Sequence, residues 1–323
     1  MRHGRTRPRS RHRPDRAAPA QRTRPGPRNR SPVLHPATAR VPAHRRRHRR
    51  LGRPQPRAPL DGDWLVGTGV AVATYHTARA PAQAPARLAP DGTATVQSAT
   101  SDMGPGTYTS MTQVAADALG LPVSRVRFQL GDSTMPPAPP HGGSMTMASV
   151  GSAVAGTCAR LRQQAVRLAI EDPGSPLHGA AADDIVVENG RLHLHGDPGR
   201  GETYQQLLAR TGRPHLEARG GYTPGQETER FSTHAYGAVF AQVAVDERLG
   251  LIRVRRVLGV YDAGRVINPK LAESQAIGGL VGGIGMALLE HTVTDPRDGR
   301  IVNANLADYL VPTNADVPDV AAV

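Results

Sequence analysis

Cysteine is nearly absent. Cys158 stands alone in 323 residues, which excludes an internal disulfide framework and any all-cysteine metal site. Its neighbours Ala155, Gly156 and Ala159 describe a small buried thiol, and no local pattern singles it out as a nucleophile. Aromatic residues are scarce too, at 3%, so the core must be assembled mostly from Ala, Val and Leu. No His-Glu-x-x-His pattern and no Walker A lysine loop occurs, which removes two common signatures of zinc hydrolysis and nucleotide binding. The N-terminus is basic but no apolar stretch follows it. A secretory signal is therefore missing, and the Arg pairs at Arg46-Arg47 and Arg49-Arg50 do not make a twin-arginine export signal. The longest apolar run, Ala276 to Leu289, is too short and too Gly-rich to suggest a bilayer span, so the sequence reads as a soluble protein.

Acids are missing from one region only. Residues 1–60 hold 19 Arg, no Lys and a single acid, Asp15, a formal +18; the remainder carries 21 basic and 26 acidic residues, or −5. The overall +13 thus belongs to a tail on a mildly acidic body. A segment alternating Arg, Pro, His and Ala cannot bury enough apolar surface to offset its ordering entropy, so residues 1–60 are expected to be a disordered tail. Three origins stay open: an arm that binds phosphate backbones, a solvated tail, or a GC-rich stretch read from a wrong start or in a wrong frame. The lack of Lys and acids beside so much Arg and Pro favours the last.

What is plentiful is Gly (35) and Pro (29), which predicts many turns. Order is expected from about Asp61 onward, with residues 61–323 forming one part of a domain. Thr93 to Ala99 alternates like a strand, and Thr107 to Leu119 is predicted as a helix ended by Gly120 and Pro122. Val126, Phe128 and Leu130 mark a strand, and Ser149 to Ile170 a long helix. Asn189-Gly190 between Ile185–Glu188 and Arg191–His195 is a two-residue hairpin signal. Tyr204 to Ala209 reads as a short helix, Tyr236 to Val245 and Leu251 to Tyr261 as long strands, and Lys270 to His291 as a Gly-rich helix. Glycines inside a helix cost on the order of 1 kcal/mol each, which makes sense where a ligand or another backbone comes close. Strands and helices alternate without the spacing of regular βαβ units, so the fold class is α+β.

Three Gly-containing loops each precede a helix: Asp102 to Thr107, Gly142-Gly143-Ser144, and Asp262-Ala263-Gly264 with Asn268-Pro269. Such turns can point backbone N–H groups and the positive end of a helix dipole at an anion, and together they could hold one large polyanion. Each also has a purely steric reading, because a tight strand-to-helix turn needs Gly anyway. His141, beside Gly142, is read as a solvated loop histidine rather than a ligand.

The stretch DMGPGTYTSMTQVAADALGLPVSRVRFQLGDSTMPPAPPHGGSMTMASVGSAV (Asp102 to Val154) resembles the molybdopterin-binding stretch of the xanthine dehydrogenase and aldehyde oxidase family. YGAVFAQVAVDERLGLIRVRRVLGVYDAGRVINPKLAESQAIGGLVGGIGMALLEH (Tyr236 to His291) resembles the next stretch in the same order. The resemblance is to the second cofactor-binding domain of the large subunit, most of all in the bacterial three-subunit type that oxidises aldehydes. It implies that Gly104, Gly106 and Thr107 contact the pterin, that Gly142, Gly143 and Ser144 form the loop passing over the metal, and that Gln275 binds the cofactor from the third helix. Asn268 and Pro269 match the turn that positions that helix. Pro105 departs from the pattern: many relatives have Gln there, and proline brings neither a side-chain donor nor a backbone N–H.

The resemblance further implies molybdopterin in its cytosine dinucleotide form carrying molybdenum, with FAD and a 2Fe-2S centre on separate flavin and iron–sulfur subunits. The implied reaction is hydroxylation of a small aldehyde or heteroaromatic compound with water as the oxygen source. The glutamate that takes the proton lies in a Gly-Val-Gly-Glu-like motif not reached before Val323, and neither Glu273 nor Glu290 sits in a matching motif. The chain is accordingly read as a truncated part of a large subunit, inactive alone. It is expected in the cytoplasm, or in the periplasm if a partner carries the export signal. Two other readings compete: a nucleic-acid-binding protein acting through the Arg-rich tail, and a remnant without cofactor.

Overall fold

The computed structural model describes residues 60–323. The tail expected over residues 1–60 lies outside the described residues apart from Leu60. Among the described residues there are five α-helices: α1 (Thr107–Leu119), α2 (Ser152–Glu171), α3 (Tyr204–Arg210), the single turn α4 (Glu227–Arg230) and α5 (Pro269–Leu288).

The smaller of the two main sheets runs in the order Leu216–Ala218, Ala86–Leu88, Ala94–Gln97, Val126–Gln129. Period-two burial sends Leu88, Val96 and Phe128 to one face, where they meet Met111 and Leu119 of α1 and Val154 and Leu161 of α2. This is the main core, and its scarcity of aromatics means that small side chains must pack closely. Ala94–Gln97 and Val126–Gln129 are parallel because α1 crosses between them.

The larger sheet is Leu60–Asp61, Trp64–His76, His234–Asp246, Leu251–Asp262, Asp319–Ala322. Its outermost pair, Leu251–Asp262 and Asp319–Ala322, is again parallel, with α5 in the intervening chain. α5 lies on this sheet through Leu280 and Ile284, which pack with Val257. Two sheets, mainly antiparallel and each with one parallel crossover, make the α+β architecture. In both crossovers a glycine loop leaves the C-terminal end of the first strand, where crossovers of this type form ligand crevices.

One long strand has no signal in the sequence, and two expected helices differ in their bounds. Trp64–His76 carries no apolar–polar alternation, since Gly67, Gly69, Ala71 and Ala73 simply interleave with Val66, Thr68, Val70 and Val72. It is a strand because all 13 residues pair with His234–Asp246. The long helix expected from Ser149 is preceded by a π turn, Met147–Gly151, before regular α2 begins at Ser152. The last helix starts at Pro269 and ends at Leu288 rather than at His291. It is 20 residues long, and its most apolar 18-residue window has a mean hydropathy of 1.2, long and apolar enough to cross a bilayer by length and composition alone. Leu280 and Ile284 nevertheless fix it against the sheet. Among the described residues close approach to its glycines is found at Gly285, where an added Cβ would lie 2.8 Å from Pro312 Cδ, whereas beside Gly278, Gly279, Gly282 and Gly283 nothing lies within 4 Å.

Candidate functional site

The first loop is built by a carboxylate. Asp102 Oδ1 accepts from the Gly104 N–H at 2.9 Å, and Oδ2 accepts from the Tyr108 N–H at 3.3 Å. Burial pushes the Asp102 carboxyl up, but the N–H groups of Gly104, Tyr108, Gly106 and Thr107 outweigh that and hold it below its ordinary range. The N-terminus of α1 is thus already capped by the chain's own anion, which corrects the picture of a loop with free amides. Gly106 is left-handed (φ 84), and an added Cβ would sit 2.6 Å from Leu271 Cδ1, so glycine is needed there for both conformation and space. Thr107 is buried behind it.

The same contact joins the first loop to the third. Leu271 is in the first turn of α5, whose cap, Asn268, accepts from the Leu271 N–H at 3.0 Å through Oδ1. Asn268 Nδ2 donates to Gln113 Oε1 of α1 at 2.9 Å. Both ends of the Asn268 side chain are therefore engaged within the protein: it positions α5 against α1. Arg265 adds an exposed ion pair with Asp117 at 3.2 Å.

The second loop is clasped to the first by His141, whose Nδ1 donates to the Ser101 carbonyl at 2.5 Å. Through this bond His141 links the two loops instead of standing free in solvent as the sequence suggested. Beyond it, Gly142 donates to the Pro140 carbonyl, while the N–H groups of Gly143 and Ser144 donate no hydrogen bond among the described residues. Ser144 holds a left-handed φ of 55, a strained conformation for a residue with a side chain. Just beyond it, Thr146 Oγ1 is buried without a partner among the described residues, and so is Thr100 Oγ1 beside Ser101. Ser149 Oγ accepts from the Ala80 N–H at 3.0 Å and anchors the π turn.

Gly104, Gly142 and Gly143 are exposed, with nothing within 4 Å of an added Cβ. Gln275 lies one turn beyond Leu271 on α5, exposed, and its side chain makes no hydrogen bond among the described residues. The structure therefore brings the three loops together around Gly106, Leu271, Ser101 and His141. It does not bury the eight expected residues in a common cavity. A cleft of about 420 Å³ between α1, the π turn and residues 265–267 is lined by Gln113, Met147, Ser152 and Arg265 among others, and by none of the eight. Among the described residues no group of three or more His, Cys, Asp or Glu is placed to hold a metal. Asp102, Gln113, Leu271 and the two orphaned threonines were not singled out from the sequence. Asp102, two residues before Gly104, carries a readable turn signal; the others become visible only through contacts distant in sequence.

Comparison with known proteins extends this geometry. Residues 44–318 match the family model described as a molybdopterin cofactor-binding domain. The aldehyde oxidoreductase molybdenum-binding subunit PaoC of Escherichia coli K12 is 35% identical over 258 residues, which cover 80% of this chain and 33% of that subunit. The putative xanthine dehydrogenase molybdenum-binding subunit XdhA of the same strain is 32% identical over 265 residues, covering 80% and 35%. The crystal structure of quinoline 2-oxidoreductase from Pseudomonas putida 86 superposes with a TM-score of 0.71 at 28% identity, covering 89% of this chain and 36% of that one. The chain spans about a third of the length of the curated relatives it matches.

Proposed function

The chain belongs to the molybdopterin cofactor-binding domain family of the aldehyde oxidoreductase and xanthine dehydrogenase type, and from that premise we propose that it holds the cofactor of a molybdenum hydroxylase large subunit in its cytosine dinucleotide form. The observation that carries this reading is the junction of three loops at Gly106–Leu271 and His141–Ser101, with unspent N–H groups at Gly143 and Ser144. Open space in front of Gly104, Gly142 and Gly143, and the orphaned hydroxyls of Thr100 and Thr146, suit a large polar ligand lying on the main chain. Gly143 and Ser144 would donate to its anionic oxygens, Gly104, Gly106 and Thr107 would form the floor under its ring system, and Gln275 would reach it from α5. Gly142 gives the chain its path into the second loop. Asn268 acts at one remove, by holding α5 in place.

When bound, the molybdenum centre supplies oxygen transfer from water to an electron-poor carbon and accepts the two electrons released. In this reading a 2Fe-2S subunit and an FAD subunit would be the partners that take up the electrons, and the substrate would be a small aldehyde or N-heteroaromatic compound. The proton-accepting glutamate is not assigned to any residue of this chain. The assembly works in the cytoplasm, or in the periplasm when a partner carries the export signal.

The test is production of the chain with its partner subunits in a host that makes the cofactor, followed by metal and nucleotide analysis. Molybdenum, a pterin and released cytosine nucleotide are the expected findings. Protein free of both molybdenum and pterin would overturn the reading, and a pterin without cytosine would overturn the dinucleotide form alone.

A further inference from the structure

We propose that His76 and His234, facing each other across two strands, form a binding site for a divalent transition-metal ion of the imidazole-preferring kind, Cu²⁺ above Zn²⁺. Neither histidine is among the residues assigned to the cofactor, and the site stands whether or not the cofactor binds. The backbone sets the pair. Trp64–His76 and His234–Asp246 run antiparallel with His76 directly opposite His234. The Thr77 N–H donates to the Thr233 carbonyl at 2.9 Å, so the adjoining pair is the hydrogen-bonded one. Bonded pairs alternate with unbonded ones, in which the Cα atoms approach to about 4.5 Å and the side chains lie closest. His76 and His234 occupy such an unbonded position, and their ring centres are 5.5 Å apart with the planes at 67°.

Two imidazoles bound to one ion at about 2.1 Å have their ring centres roughly 5 Å apart. The observed spacing is slightly wider, and a small turn about the side-chain bonds closes it. His234 Nδ1 is 3.5 Å from Ser232 Oγ, which leaves Nε2 as the nitrogen for a ligand, while the His76 ring is exposed and makes no hydrogen bond among the described residues. Edge-on rings also pack without any ion. Packing does not need two imidazoles at chelating distance with nitrogens to spare. Among the described residues no third His, Cys, Asp or Glu completes a cluster, so water fills the remaining positions and the ion is exchangeable. Ligation by nitrogen alone selects Cu²⁺ and Zn²⁺ over Mg²⁺ and Ca²⁺, which take oxygen, and Cu²⁺ binds most tightly. The ion would tie the end of Trp64–His76 to the strand it pairs with along its whole length.

The experiment titrates the full 323-residue chain, made in cells unable to supply the cofactor, with Zn²⁺, Cu²⁺ or Mg²⁺ while amide exchange is followed peptide by peptide. Histidines in residues 1–60 can take up these ions too, so location decides rather than stoichiometry. Exchange at the strand ends, residues 70–76 and 234–240, should slow by about tenfold with Zn²⁺ and at lower concentration with Cu²⁺. Mg²⁺ should have no effect. His76→Phe keeps a ring opposite His234 but removes the ligand nitrogen. It should abolish the metal-dependent slowing and leave the melting temperature of the metal-free chain unchanged. If that variant does not fold, His76→Gln at the same exposed position decides. No slowing in the parent chain overturns the proposal, as does equal slowing in His76→Phe or an equal response to Mg²⁺. Because no cofactor is present, failure here and failure of the cofactor reading are separate results.

Discussion

At the scale of single residues, the loops are shaped by the protein's own polar groups before any ligand arrives. Asp102 is the clearest case. Its carboxyl is held below the ordinary 3.8 by backbone N–H groups despite burial, so its contribution to stability is fully present above that value and fades as the pH falls below it. Asp102→Ala is expected to cost about 1 kcal/mol at neutral pH, the usual worth of a helix cap. The gap from the parent protein should close on acidification below about pH 4. Melting curves across pH check this, and a gap that does not narrow as the pH falls would refute it. Ser144 makes the opposite argument: Ser144→Gly should raise stability by about 1 kcal/mol through relief of its left-handed φ. If Ser144 serves the ligand, the same substitution lowers the molybdenum content of the assembled protein, so stability and occupancy would move in opposite directions. Cys158 is inert by comparison. It is fully buried, and burial pushes its thiol up to about 12.

Among elements, the tie between α2, α3 and the hairpin strand Asp197–Thr203 is ionic. Arg210 of α3 bonds Glu202 at 2.6 Å and Asp172, just past the end of α2, while Ser175 donates to Glu202 at 2.6 Å. The Glu202 side chain is only 5% exposed, so removing its partner would strand a buried carboxylate. Arg210→Met should therefore destabilise the fold by about 3 kcal/mol. Restoring part of that loss with Glu202→Gln in the same protein is the expected second result, read by urea denaturation. No recovery in the double variant would mean that the loss comes from packing of the arginine stem instead. Elements with strong local signals agree with the sequence: the Asn189-Gly190 turn joins Ile185–Glu188 to Arg191–Leu194 with both turn residues at positive φ. α1 likewise starts at Thr107 and stops at Gly120.

At the scale of the whole molecule, the charge is divided between a basic tail and an acidic body. Residues 61–323 carry a formal −5, so any affinity of the full chain for DNA should fall steeply with salt and vanish when residues 1–60 are deleted. Electrophoretic titration at two salt concentrations checks this; binding that survives the deletion would place a nucleic-acid surface on the body. The outer face of α5 belongs to this scale too. Among the described residues nothing lies within 4 Å of a Cβ added at Gly278, Gly279, Gly282 or Gly283, so no internal contact accounts for these four glycines.

The amino-acid sequence by itself determined the elements whose causes are local: glycine stops, the Asn-Gly hairpin, period-two strands, and the order of three glycine loops that carries the family resemblance. Tertiary structure decided the rest. Trp64–His76 is a strand through its pairing with His234–Asp246, because alternating small and β-branched residues give no one-sided pattern. The amides of the first loop turn inward to Asp102, and Gly106 meets Leu271, a residue 165 positions away. Local propensity sets how each loop bends. Which loops touch, and which N–H groups remain free, depends on how the two crossovers pack, and that is a property of the assembled sheets.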